Sequence, residues 1–143
     1  MKSSFCFAVL ALCVSIAAAA DPAALPRSAA PLGAKCYIIS PADGATVTGP
    51  VTVLFGLKGM GVAPAGVQQD KTGHFHLLVD TGLPPLDKPI PKDAQHLHFG
   101  GGQTETTLNL SPGKHTLQLL MGDHVHLSFD PPVASEVITI TVR

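Results

Sequence analysis

The sequence has 143 residues, the size of a single domain, and its 45% hydrophobic content is enough to build a core. Nine Lys+Arg against ten Asp+Glu give a formal charge of −1 with no basic stripe, which excludes nucleic acid and anionic membrane surfaces as expected partners. Seven histidines beside three cysteines are the compositional feature that asks for an explanation.

Residues 1–20 read as a secretory signal peptide. Lys2 supplies the positive start, residues 5–20 carry no charge, and Ala17-Ala18-Ala19-Ala20 puts small residues at −3 and −1 before Asp21. The stretch is short for a membrane span, which takes ~20 apolar residues. Leu12 before Cys13 speaks against a lipoprotein. A periplasmic or secreted protein with no membrane span after cleavage is therefore expected. Cleavage removes Cys6 and Cys13 and leaves Cys36 alone, so the domain must be stable without an internal disulfide. Cys36 is expected to be a small buried hydrophobe, with pairing to another chain left open.

Residues 21–34, rich in Ala and Pro, read as a flexible leader. The texture then changes to short apolar and β-branched runs divided by Gly, Pro and Asp. Strands are predicted at residues 36–39, 51–57, 74–80, 104–110, 115–121 and 137–142. Pro41-Ala42-Asp43-Gly44 and Ser111-Pro112-Gly113-Lys114 have the residues that tight turns require. No window shows a 3.6-residue apolar period, so residues 35–143 are expected to form an all-β, immunoglobulin-like antiparallel sandwich. Alternation assigns Phe75, Leu77 and Val79 to one face of their strand and His74, His76 and Asp80 to the other. Val51, Val53, Phe55 and Leu57, together with Leu117, Leu119 and Met121, complete the expected core. Residues 81–95 carry four prolines and are expected as a stiff surface loop, with residues 59–71 as a second excursion.

Three times the chain places histidines two apart: His74 and His76, His96 and His98, His124 and His126. On a strand such residues share a face, ~6.5–7 Å apart. Two imidazoles so placed can converge on an ion at ~2.0–2.1 Å from each ring nitrogen. Two pairs on neighbouring strands suffice for four ligands. Imidazole ligation suits copper or zinc, with Asp80 and Asp123 as acceptors for the rings' free N–H groups. Met60 and Met121 could serve copper(I) but are expected to fill the core. The competing reading is a solvated sheet face whose imidazoles titrate near ~6.5. His115 is expected to be a hydrogen-bonded inward histidine, and the glycines at 100–102 a flexible turn. No nucleophile elbow, zincin motif or phosphate loop occurs, so no catalytic residue is assigned.

The words Thr72-Gly73-His74-Phe75-His76-Leu77-Leu78-Val79-Asp80, His98-Phe99-Gly100, Gly102-Gln103-Thr104-Glu105, Pro112-Gly113-Lys114-His115-Thr116-Leu117-Gln118-Leu119, Gly122-Asp123-His124 and Pro131-Pro132-Val133-Ala134-Ser135-Glu136 span nearly the whole domain. They resemble an uncharacterised family of small bacterial periplasmic proteins, a domain of unknown function in which some members carry a rod shape-determining label. That family often shows a third histidine where this chain has Phe75. The resemblance implies an all-β fold and a periplasmic location but no activity. Gly73-His74-Phe75-His76 also looks like the copper-ligand strand of copper-zinc superoxide dismutases, whose disulfide one mature cysteine cannot supply. Residues 40–47 look like the entry to bacterial immunoglobulin-like modules. The leading expectation is an exported copper or zinc buffer or carrier, with ligands among His74, His76, His96, His98, His124 and His126. The alternatives are a structural or interaction module that meets another envelope protein through loop 81–95 and a sheet edge and, third, a dismutase-like oxidoreductase.

Overall fold

The computed structural model describes residues 25–143, so the expected signal peptide, with Cys6 and Cys13, lies outside the described residues. Nine strands follow in chain order: β1 (Lys35–Ser40), β2 (Thr46–Val47), β3 (Val51–Lys58), β4 (Gly61–Val62), β5 (Thr72–Val79), β6 (His96–His98), β7 (Glu105–Leu108), β8 (Gly113–Gly122) and β9 (Ile138–Val142). One sheet has the order β1-β3-β7, the other β2-β9-β8-β5-β4, with β6 also paired to β5. The fold is an all-β, immunoglobulin-like sandwich. Its principal pairings are antiparallel, and the short β2–β9 and β4–β5 contacts are parallel. Among the described residues, no helix is long and apolar enough to cross a membrane.

Alternation builds the core as the sequence requires. Phe75, Leu77 and Val79 of β5 stand opposite Met121, Leu119 and Leu117 of β8. All six meet Val51, Val53 and Phe55 of β3 in one cluster. The Phe55 ring lies 5.1 Å from that of Phe75 and 4.9 Å from that of Phe99. Full burial of each such side chain stabilises the fold by ~1.5–3 kcal/mol. Cys36 is fully buried in this cluster, as expected of a small hydrophobe, and burial pushes its thiol up to about 12. Met121 belongs to the same cluster and Met60 packs against it.

The leader is not free from Arg27 onward. The Arg27 guanidinium donates to Ser128 O at 2.9 Å and to Phe129 O, and it pairs with Asp130 at 3.4 Å. Ser28 Oγ donates to Asp123 Oδ2 at 2.8 Å, and Ala29 bridges to Asp130. These are polar and backbone ties, which a search for apolar burial overlooks. Nor is the histidine face of β5 solvated, because every residue from Gly73 to Val79 is buried. The proline-rich loop folds over that face. Its Ile90 is 5% exposed and joins Leu78 and Leu120 in a second, smaller apolar cluster, while Ile90 N–H donates to His126 O at 2.8 Å.

Candidate metal centre

β5 is the central positioning element, flanked by β8 on one side and by β4 and β6 on the other. His74 and His76 project from it on the side away from the main core, and both are 0% exposed. β6 brings His98 directly opposite His76 in the antiparallel register. One ring nitrogen from each of His74, His76 and His98 lies within 4.8 Å of the others. The Nε2 atoms of His74 and His76 are 3.1 Å apart. Two ligands of a tetrahedral ion with bonds of ~2.0–2.1 Å sit ~3.3 Å apart, close to that spacing.

His126 reaches the same place from a loop. The β8 strand ends at Gly122 and the chain returns through Asp123–Leu127, closed by His126 N–H to Asp123 O at 2.9 Å and Asp123 N–H to Leu127 O at 2.8 Å. His126 has φ 69°, in the left-handed region that histidine enters more readily than bulky or β-branched residues. Asp123 fixes this turn, its Oδ1 accepting from the N–H groups of Val125 (3.0 Å) and Leu127 (2.9 Å). The His126 ring centre then lies 5.0 Å from that of His74 and 4.9 Å from that of His98.

Three buried ring nitrogens, His74 Nδ1, His76 Nδ1 and His98 Nε2, have no hydrogen-bond partner in the protein. Each unsatisfied buried polar atom costs ~1–3 kcal/mol. Burial first, then the His126 and His98 rings, hold His74 down to about 4. Burial and His74 hold His76 down to about 2, and His98 is lowered by burial, His126 and Lys92. The cluster is thus neutral, with lone pairs available, which is the state a metal ion requires.

Small residues make room for the rings. A Cβ on Gly122 would stand 2.9 Å from His76 Nε2, and one on Gly100 would stand 2.6 Å from His98 Nε2. The glycines after Phe99 therefore include a seat for an imidazole as well as a turn. Gly100→Ala is expected to leave the fold intact, since a half-buried ring can swing aside. It lowers zinc affinity at least ~10-fold, about 1.4 kcal/mol. Chelator competition measures this, and an unchanged affinity contradicts it.

The remaining expected site residues lie elsewhere. His96 stands across from Leu78, two register pairs beyond His76, and its Nδ1 contacts Asp93 Oδ1 at 2.9 Å. His124 lines a cleft of about 380 Å³ with Ser28, Lys71 and Phe129. Asp80 serves His115, whose Nδ1 lies 2.7 Å from Asp80 Oδ2 and whose Nε2 donates to Ser111 O at 2.8 Å. The Asp80 bond and the Ser111 carbonyl raise the pKa of His115. Asp123 takes no ring N–H and acts on the loop that carries His126. Ile90, Gly100, Gly122 and Ser28 were not read from the sequence as parts of this site.

A family model described as a domain of unknown function (DUF4399) matches residues 53–143. No curated protein matches the chain. Similar solved structures include an endo-beta-1,4-mannanase from Thermotoga petrophila, 18% identical, TM-score 0.45, covering 77% of this chain and 20% of that one. Fibronectin(III)-like modules of CbhA from Clostridium thermocellum are 12% identical, TM-score 0.39, covering 76% of this chain and 45% of theirs. The chain spans less than half of either, and likenesses this slight carry no argument about activity.

Proposed function

The chain belongs to the DUF4399 family matched over residues 53–143, and from that premise we propose that it binds one copper or zinc ion through His74, His76 and His98. The observation that carries this reading is the convergence of three imidazoles, with one ring nitrogen of each within 4.8 Å of the others, on a buried sheet face where each of the three residues also has a buried ring nitrogen without a hydrogen-bond partner. A buried polar cluster that makes so few internal hydrogen bonds is unfavourable unless something outside the protein completes it. All-imidazole donors suit copper(II) and zinc better than calcium or magnesium, which take oxygen ligands. With the signal peptide expected at residues 1–20, the role is that of an exported metal buffer or carrier. Ile90 of the proline-rich loop covers the histidine face, so part of that loop serves the site.

Equilibrium titration of chelator-stripped protein tests the reading. The wild type is expected to take up one equivalent of zinc or copper, and His74→Ala/His98→Ala none, with the sandwich preserved in both. Equal uptake by the two proteins would sink the ligand assignment.

A further inference from the structure

Building on the metal reading, we infer that His126 is a fourth, exchangeable ligand, and that the loop at residues 123–127 is the gate through which the ion enters and leaves. The three converging imidazoles stand on strands. His74 and His76 are laddered to β8 on one side, and His98 is laddered to β5 opposite His76. His126 alone comes from a loop. It is half-buried where His74 and His76 are fully buried, and its backbone sits in the left-handed region.

The rings themselves indicate a fourth place. Ring-centre distances are 4.9 Å for His74–His76, 5.0 Å for His74–His98 and 5.1 Å for His76–His98. His126 adds 5.0 Å to His74, 4.9 Å to His98 and 6.2 Å to His76. A square of four rings would show two long diagonals and four short edges. One long edge among otherwise equal ones is a tetrahedron opened along the His76–His126 edge, and of that pair His126 is the one carried by a loop and left half-buried. Four protein nitrogens close the site while His126 is bound, which fits a buffer or carrier.

The gate is held from the N-terminal side. Ser28 Oγ donates to Asp123 Oδ2, and Asp123 Oδ1 in turn holds the Val125 and Leu127 amides that flank His126. Arg27 ties the return strand through Ser128 O and Phe129 O. These residues lie before the segment that the family model matches, so the strap is a feature of this chain beyond the matched region. Ser28 is a positioning residue: it acts on the ligand through Asp123 and does not touch the ion.

Cobalt(II) as a spectroscopic probe and zinc release to excess chelator test this together. Tetrahedral cobalt absorbs strongly in the visible, and higher coordination absorbs weakly. Wild type is expected to give the strong bands. His126→Asn, which tolerates the left-handed backbone, is expected to bind cobalt with bands altered in position and intensity, because a water replaces the imidazole, and to release zinc at least ~10-fold faster, since most affinity changes appear in the off-rate. Ser28→Ala should keep the strong bands and release zinc several-fold faster, a split that general loss of structure does not produce. A His126→Asn protein with wild-type spectrum and release rate overturns the inference while leaving the three-histidine site standing. Ser28→Ala with wild-type release overturns the strap. A wild type that takes up neither metal overturns both this inference and the reading beneath it.

Discussion

Replacing His76 by leucine is expected to leave the metal-free protein at least as stable as the metal-free wild type, while removing its response to metal. Core substitutions ordinarily destabilise, so the sign is informative. His76 is fully exposed to the cost of burial, with Nδ1 unpartnered and Nε2 facing only the His74 ring. An apolar side chain of similar size removes that cost and faces Leu120 and Ile90, which already form an apolar cluster beside it. At a hundredfold excess of metal over Kd the wild type gains ~2.7 kcal/mol of stability, and the variant loses that gain. Denaturant melts with chelator and with zinc measure both halves. A leucine variant that is clearly less stable without metal, or that keeps the zinc-dependent shift, would contradict the account. A fold that tolerates a local penalty at such a place trades stability for a binding site.

Acidification of the metal-free protein provides the second large effect. His74 and His76 are held below their ordinary value, to about 4 and about 2, by burial and by each other's neighbourhood. Below ~6.5 the unfolded chain takes up protons on both residues and the folded chain does not, so stability falls as pH falls. Each ring that stays neutral costs up to ~1.4 kcal/mol per pH unit, on the order of 2 kcal/mol per unit for the pair. His115 has the opposite sense. Its pKa is raised by Asp80, so its contribution is complete at acid pH and fades as pH rises through the folded value. Asp80, lowered on balance by His115 and the Thr116 amide against the effect of burial, loses its contribution only below its unfolded value of ~4. Below pH ~6 the His115 contribution is nearly complete and Asp80 is still ionised, so the window from pH 6 to pH 5 isolates the cluster. A metal-free protein with flat stability across that window contradicts the burial of neutral rings, and His76→Leu should show roughly half the wild-type slope.

The strands of this domain are legible in its sequence because their information is local. Alternation at Phe75, Leu77 and Val79 names the core face of β5, and the turn residues around Gly44 and Gly113 bound its neighbours. What lies two or three residues long, such as Gly61–Val62, has no periodicity to read. Of the six paired histidines, the rings of His74, His76, His98 and His126 meet, while His96 and His124 lie apart. His96 shares a face with His98 but stands two register pairs further along, opposite Leu78. The rule for residues two apart does not hold at His124 and His126, since they lie in a turn where the chain rotates between them. Gly122-Asp123-His124 holds the signal for that turn, an aspartate able to cap the amides after it. The partnership of Asp80 with His115, 35 residues away, and of Ser28 with Asp123, 95 residues away, is set by strand pairing that single positions do not encode.

The metal content of the tag-free protein, measured by elemental mass spectrometry after dialysis, tests the central claim most directly. The wild type is expected to retain close to one copper or zinc per chain, and His74→Ala/His98→Ala, purified identically, to retain none. Wild-type protein that holds no metal, or a double variant that holds as much, would mean that the converging imidazoles of β5 and β6 do not form a metal site.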